Sequence, residues 1–331
     1  MSVSEFALGA MMFGSMGNPD HADAIRIIHS ALDAGINLID TADVYSRGES
    51  EEIVGKAVKG RRDDVVIATK FGRPMGEDPN QRGGSRRWIV RAVENSLRRL
   101  DTDYIDLYQI HRPDHETEIG ETLSALSDLV RAGKIRAFGS SMFPAEMIVE
   151  AQWAAERQGT YRFLTEQPMY SIFTRKLEAA VLPTAQRHGL GVLTFSPLNS
   201  GWLSGRADLT SSHRAALYSS AFPSRFDSST PTGTLKAAAL AELAVLAREA
   251  GMTLPQLATA FVRAHPAVTS VLIGPRTREQ LDGLLSGADI ELSSDVLDRI
   301  DEIVPPGTDL DPADNYAATP PAIENAALRR R

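Results

Sequence analysis

The stretch Leu100-Asp101-Thr102-Asp103-Tyr104-Ile105-Asp106-Leu107-Tyr108-Gln109-Ile110-His111 decides how this chain is read. It closes a helical pattern over 85–99, in which Ser85 is the cap and Ile89, Val93 and Leu97 fall at helical spacing. A turn follows, then a strand-like hydrophobic run over 104–110 that ends on a histidine. The same unit of strand, turn and amphipathic helix recurs on both sides. Strand-like runs lie at 6–11, 37–40, 65–70, 104–110, 135–140, 163–167, 191–195 and 268–273. Helical patterns lie at 21–34, 50–58, 85–99, 119–132, 144–157, 176–188, 235–250 with 255–264, and 277–286. In the first of these, Asp20 caps a stripe of Ala24, Ile27, Ile28, Ala31 and Leu32.

Strict alternation of strand and helix argues for a parallel sheet. Eight such alternations in an α/β chain predict a closed (β/α)8 TIM barrel, whose chemistry gathers at the C-terminal ends of the strands. A doubly wound open sheet is the competing architecture, but its dinucleotide-binding form carries a Gly-rich turn after the first strand. Leu8-Gly9-Ala10-Met11-Met12-Phe13-Gly14 has no G-x-G-x-x-G. The expectation is a single domain over 1–331, with the barrel at about 6–290 and a C-terminal helix and tail over 291–331. Two segments depart from the repeat. Residues 198–233, rich in Ser, Pro, Arg and aromatics, are too long for a connector and form a candidate functional loop. Residues 305–331 follow a last helix at 293–303 and either fold over the rim or stay disordered.

Composition excludes several function classes. A net charge of −8 over 331 residues argues against a nucleic-acid or anionic-membrane surface. The short basic clusters Arg61-Arg62, Arg86-Arg87 and Arg329-Arg330-Arg331 read as solvated surface. With no cysteine, disulfides, thiolate catalysis and Cys-based zinc sites all drop out. No window resembles a membrane span. Met1-Ser2-Val3-Ser4-Glu5 opens no secretory signal, so a soluble cytoplasmic protein is expected.

Asp40, Lys70 and His111 each stand where a strand-like run ends, and Tyr45 follows Asp40 by one short loop. In a parallel sheet all four side chains meet at one rim. A phenol there is a poor acid, with an ordinary pKa near 10. An ammonium about 4 Å away favours the phenolate by roughly 4 kcal/mol at an effective dielectric of 20, which brings the phenol toward neutrality. Tyr45 is therefore the candidate proton donor, Asp40 fixes and charges Lys70, and His111 donates a second hydrogen bond to the same substrate oxygen. Taken singly, Tyr45 is a surface aromatic, Lys70 a solvated charge, His111 a structural imidazole and Asp40 a turn cap. Their joint placement carries the functional reading.

Asp40-Thr41-Ala42-Asp43-Val44-Tyr45, Gly48-Glu49-Ser50-Glu51-Glu52-Ile53-Val54-Gly55, Ala68-Thr69-Lys70-Phe71-Gly72 and the 100–111 stretch together resemble the aldo-keto reductase family over about 8–303. The resemblance implies a TIM barrel that binds NADP(H) across its rim and exchanges a hydride with a carbonyl carbon, with no metal. It makes Tyr45 the acid, Lys70 and Asp40 its tuning pair, and His111 the residue that orients the carbonyl. Gly139-Ser140-Ser141-Met142-Phe143 resembles the family's Gly-x-Ser-Asn segment, which puts Ser141 on the nicotinamide carboxamide, with Met142 in place of Asn. Gln167 matches the other carboxamide partner. Phe195-Ser196-Pro197-Leu198 matches the segment whose aromatic ring stacks on the nicotinamide, and Ser200–Arg206 the loop over the pyrophosphate. Gly274-Pro275-Arg276-Thr277 resembles the 2′-phosphate site, with Gln280 one turn on; a helix N-terminus beside a guanidinium suits a dianion.

The family's Glu-Asn pair near adenine falls on Gly283-Leu284, and the usual N-terminal β-hairpin plug is absent. An NADPH-dependent carbonyl reductase is the first reading, acting as a monomer on a small carbonyl compound. A non-catalytic NADP(H)-binding partner or redox sensor, as channel-associated members of the family permit, is the second. A barrel isomerase or lyase without nicotinamide is the third. Met12, Phe13, Phe71 and Trp202 are expected at an apolar pocket mouth.

Overall fold

The computed structural model describes residues 1–206, 225–315, 323 and 325–330. Its strands are β1 (Phe6–Gly9), β2 (Leu38–Asp40), β3 (Val66–Phe71), β4 (Ile105–Ile110), β5 (Ile135–Ser141), β6 (Thr165–Gln167), β7 (Gly191–Thr194) and β8 (Val268–Ile273). They pair in chain order, all parallel, and β8 returns to β1, so the barrel is closed. The expected (β/α)8 architecture is the one observed.

Period-two alternation along each strand builds two cores. Ala7, Leu38, Ala68, Leu107, Leu193 and Leu272 point inward and fill the barrel axis, with Val66, Ala137 and Phe195 packed on them. Leu8, Ile39, Ile67, Tyr108, Phe138 and Val192 belong to the outer core that the helices cover. The described residues before β1 form no strand and no hairpin. Val3 packs on the axial cluster instead. Asn37 ties this segment down, accepting from the Ser4 N–H at 2.8 Å and donating to the Ser2 carbonyl.

The helices in the described chain are α1 (His21–Asp33), α2 (Glu49–Ala57), α3 (Arg86–Leu100), α4 (Ile119–Arg131), α5 (Ala145–Gln158), α6 (Val181–Arg187), α7 (Pro231–Glu249), α8 (Leu254–Ala264), α9 (Arg278–Leu285) and α10 (Ser294–Ile303). Asp20 caps α1 by accepting from the Asp23 N–H, and Ala24, Ile27, Ile28 and Ala31 are its buried stripe. Gly55 lets α2 lie against the end of α3: a Cβ there would come within 2.5 Å of the Leu100 carbonyl oxygen.

Two helices differ from the sequence pattern. The stretch 176–188 is not one helix but a 3-10 turn at Lys176–Ala179 followed by α6. Pro183 has no N–H to give the Ala179 carbonyl and its ring crowds that oxygen, so the chain breaks at Ala180 (φ −141°). Conversely, α7 starts at Pro231 rather than 235, because Thr230 caps it and Pro231 suits the first turn. Beyond α10 the chain runs back over the rim. The Arg175 N–H donates to the Thr308 carbonyl and the Leu310 N–H to the Phe173 carbonyl. The expected 198–233 loop is described only at its two ends, and 207–224 lies outside the described residues, as do 316–322, 324 and 331 of the tail. No helix in the described chain is long and apolar enough to cross a membrane.

Candidate active site

β2, β3 and β4 end side by side, and their last residues carry a connected polar group. Register pairs Lys70 with Gln109, while the strand extends into the loop through Thr41 N–H to Ala68 O and Asp43 N–H to Lys70 O. These bonds fix the start of the β2–α2 loop, and Tyr45 lies two residues on. Lys70 is buried at 1% exposure and donates to Asp40 Oδ1 at 2.5 Å, to the Thr41 carbonyl at 2.9 Å and to the Tyr45 hydroxyl at 3.5 Å. The Tyr45 ring meets His111 edge-on at 5.6 Å. Asp40, Tyr45, Lys70 and His111 are thus brought together, and of these Asp40, Tyr45 and His111 line a single cavity of about 1900 Å³. That exceeds the roughly 300–1,000 Å³ typical of a pocket for one small ligand.

Electrostatics differs from the sequence expectation at one point. Burial pushes the Tyr45 phenol above its ordinary value; Lys70 opposes this and Asp40 adds to it. The ammonium is where it was expected, yet desolvation of the phenolate outweighs its pull. Burial disfavours the Lys70 ammonium, but Asp40 and then Tyr45 more than compensate and hold it above its usual value. The His111 imidazole is driven well below its ordinary range by burial, then by Lys70, Arg112 and Arg73. It is neutral, and its Nδ1 is buried without a hydrogen-bond partner.

The sequence reading missed Gln109, Glu51 and Arg99, and it missed the hold of Gln167, expected only at the nicotinamide, on Asp40. Gln109 and Gln167 both donate to Asp40 Oδ2, at 3.4 and 2.8 Å, so the carboxylate is held from two further strands. Buried Glu51 accepts from Thr69 Oγ1 and Arg99 Nε, each at 2.6 Å. Beside it burial, then Glu51, pushes the Asp43 carboxyl well above its ordinary value. The spacing of Glu51 and Arg99 in separate helices gives no local pattern from which their pairing could be read. Ser46 (φ 48°) and Arg47 (φ 57°) are left-handed, a conformation that costs a non-glycine residue about 1 kcal/mol or more. Ser46 is held there by the Met16 N–H, which donates to its hydroxyl at 3.1 Å.

The cofactor candidates ring the rest of the same cavity. Ser141, Gln167, Phe195, Ser196, Leu198, Arg206, Gly274, Arg276 and Gln280 all line it, as do Gly283 and Leu284. Ser141 donates to the Gln167 carbonyl at 2.8 Å. Gly139 is required just before it, since a Cβ would sit 2.7 Å from the Thr165 carbonyl oxygen. Met142 (φ 60°) is left-handed and buried, in a conformation that asparagine tolerates far better. Gln280 Oε1 accepts from the Arg276 N–H at 2.8 Å, and Thr277 caps α9. A Cβ on Gly283 would meet nothing within 4 Å. Of the residues expected at an apolar mouth, only Met12 lines the cavity. Phe13, Phe71 and Trp202 are core: Phe71 stacks on Tyr108 at 4.7 Å, and the Trp202 indole donates to the Arg225 carbonyl.

Residues 5–305 match the model of the Aldo/keto reductase family. The chain belongs to the aldo/keto reductase family. It is 38% identical to the uncharacterized oxidoreductase YrpG of Bacillus subtilis, over 92% of this chain and 93% of that one. It is 42% identical to the aldo-keto reductase YhdN of the same organism over 62% and 60%. It is also 36% identical to a probable voltage-gated potassium channel subunit beta of Arabidopsis thaliana, over 92% and 94%. As a member of the aldo/keto reductases the chain is an oxidoreductase. The cavity fits the nicotinamide dinucleotide usual in that family: its lining offers the Phe195 ring, the polar groups of Ser141 and Gln167, and the guanidinium groups of Arg206 and Arg276. No group of residues able to hold a metal occurs in the described chain.

Proposed function

We propose that this aldo/keto reductase reduces an aldehyde or ketone to the alcohol at the expense of NADPH, with Tyr45 as the general acid. The observation that carries the reading is the continuous contact Asp40–Lys70–Tyr45 opening into a cavity that also holds Phe195 and Arg276. When bound, NADPH would supply the hydride for the carbonyl carbon. Phe195, Ser141 and Gln167 are the residues to hold its nicotinamide, and Arg276 at the start of α9 the one to hold its 2′-phosphate.

The chain's own part is proton delivery. The neutral His111 ring and the Tyr45 hydroxyl orient the carbonyl oxygen. As that oxygen gains charge it takes the Tyr45 proton, and the phenolate left behind is stabilised by Lys70. A raised phenol does not block this step, because an alkoxide is a far stronger base than any tyrosinate. Asp40 keeps Lys70 charged and aimed, and Gln109 and Gln167 keep Asp40 aimed. The protein acts in this reading as a cytoplasmic monomer on a small carbonyl compound. Tyr45→Phe tests it: NADPH oxidation with a panel of aldehydes and ketones should fall by about 10²–10⁴-fold, with the dissociation constant for NADPH nearly unchanged. A mutant as fast as the wild type overturns the assignment of the acid.

A second reading is a nucleotide-binding regulatory subunit with negligible turnover. It is favoured by the resemblance, over 92% of this chain, to proteins named as probable potassium channel beta subunits in Arabidopsis thaliana and Oryza sativa. Single-turnover oxidation of bound NADPH separates the two, since a regulator binds tightly and does not turn over.

A further inference from the structure

Three arginines at the catalytic end of the cavity have no role in the chemistry above. Arg47, Arg73 and Arg112 line it together with Tyr45 and His111. The Arg112 guanidinium donates to the His111 carbonyl at 3.2 Å. Arg73 follows Gly72, whose φ of 104° turns the chain sharply after β3. Arg47 comes immediately after the left-handed Ser46 and before Gly48 (φ 98°), so three left-handed residues in succession bring it out beside Tyr45. Arg112 and Arg73 both act on His111, and Arg112 also acts on Tyr45, which places their charge at the reacting end.

The described lining of the cavity holds five arginines against two acids, Asp40 and Glu279. Asp40 is paired with Lys70, and Glu279 lies in α9, at the Arg276 end. So arginine-rich a described lining, in a chain of net charge −8, is a local construction. Phosphates of a dinucleotide suit Arg206 and Arg276. The nicotinamide end carries no phosphate, so the arc of Arg47, Arg73 and Arg112 faces the other ligand. Met11, Met12 and Val44 line the cavity too and offer that ligand apolar contact.

We propose that the substrate is an aldehyde or ketone with an anionic group, carboxylate or phosphate, held by Arg47, Arg73 and Arg112 while its carbonyl meets Tyr45 and His111. The planar guanidinium suits both oxyanions. This inference rests on the reductase reading, and its test keeps the two apart.

The probes are 4-carboxybenzaldehyde, 4-formylphenyl phosphate and the neutral methyl 4-formylbenzoate, which present the same aldehyde with different charge. At low ionic strength kcat/KM for at least one anionic probe should exceed that for the ester by about tenfold or more, and the gap should narrow as salt rises. Which of the two anions is preferred tells carboxylate from phosphate. The ratio should drop several-fold in Arg73→Gln and in Arg47→Gln, both exposed positions whose replacement leaves the core alone, and should invert in Arg73→Glu. Calorimetry on the NADPH-loaded protein with 4-carboxybenzyl alcohol, 4-(hydroxymethyl)phenyl phosphate and methyl 4-(hydroxymethyl)benzoate reads the same preference without turnover. Tight binding of an anionic alcohol with no turnover of any aldehyde keeps the anion site and removes the reductase reading. Equal kcat/KM for charged and neutral aldehydes, insensitive to the arginine variants, overturns the anion site and leaves the reductase standing. No turnover with no binding preference overturns both.

Discussion

At Tyr45 two opposed effects of similar size decide how the proton donor behaves. Lys70 stands 3.5 Å from the hydroxyl, close enough for an attraction of about 4 kcal/mol, yet burial wins and the phenol lies above its ordinary value. The acid form of Tyr45 therefore persists through neutral pH. The expected consequence is a pH profile of kcat/KM for reduction with no Tyr45-dependent fall below about pH 10. A basic limb near pH 8 that disappears in Tyr45→Phe would place the phenol lower and give Lys70 the upper hand. The sequence made the four rim residues legible because Asp40, Lys70 and His111 each mark the end of a hydrophobic run and Tyr45 follows Asp40 by one short loop. It could not make the sign at Tyr45 legible, since that depends on how much water the folded loop excludes. Gln109, and the bond from Gln167 to Asp40, were hidden for a related reason. Their hold on Asp40 crosses the barrel axis, 69 and 127 residues apart in sequence.

Among the elements, β5 and β6 are joined above their short ladder by one carboxyl group. Glu166, fully buried, accepts from Ser140 Oγ at 2.5 Å and from the Phe143 N–H at 3.0 Å, and burial raises it to about 7. Between its unfolded value near 4.5 and about 7 the folded state keeps a proton that the unfolded chain has released. Stability must then fall as pH rises through that window, by up to about 3 kcal/mol. Glu166→Gln should remove the slope: urea unfolding at pH 8 should give a gain of about 1–3 kcal/mol and at pH 5 almost none. His111 runs the other way, since its unfolded form takes up a proton below about pH 6.5 that the buried ring refuses, so its contribution is lost on acidification.

The C-terminus of α3 offers a second test. Asp101 is exposed, left-handed (φ 51°) and acidic at the negative end of the helix. Asp101→Gly relieves both effects at some cost in unfolded-state entropy and should raise stability by about 1 kcal/mol, seen as a higher Tm. Most elements were legible because hydrophobic period and caps agree. The break in 176–188 was legible in principle, as Pro183 stands in plain view, but seven residues of α6 are enough to keep a helical pattern running through it.

On the scale of the whole molecule, the rim is closed by charges rather than by apolar packing alone. The returning tail places Asp311 and Asp314 against Lys236 of α7, a fully buried lysine that also lies over the Trp202 ring at 5.1 Å. Arg225 reaches the Ala313 carbonyl at 2.9 Å and Asp314 at 3.6 Å. Pro312, Ala313 and Asn315 of the same segment line the cavity, so these ion pairs hold part of the site in place. They hold it at a cost: burial raises the Asp314 carboxyl despite the opposing pull of Lys236 and Arg225. A buried pair of this kind fixes geometry more than it stabilises.

The energetic signature follows. Lys236→Met leaves a buried carboxylate short of a cation, and Asp314→Leu leaves a buried ammonium short of an anion. Each should lose on the order of 3 kcal/mol, while the double variant recovers most of the loss or exceeds the wild type. Denaturant unfolding gives the three values, and hydrogen exchange at residues 309–315 reports whether the loss is local to the tail. Single variants should also raise KM for NADPH, and the double variant should restore it only if the tail reseats. Additive losses in the double variant would mean that Lys236 and Asp314 act separately, and that the tail is held by Arg225 and by the backbone bonds of Thr308 and Leu310 instead.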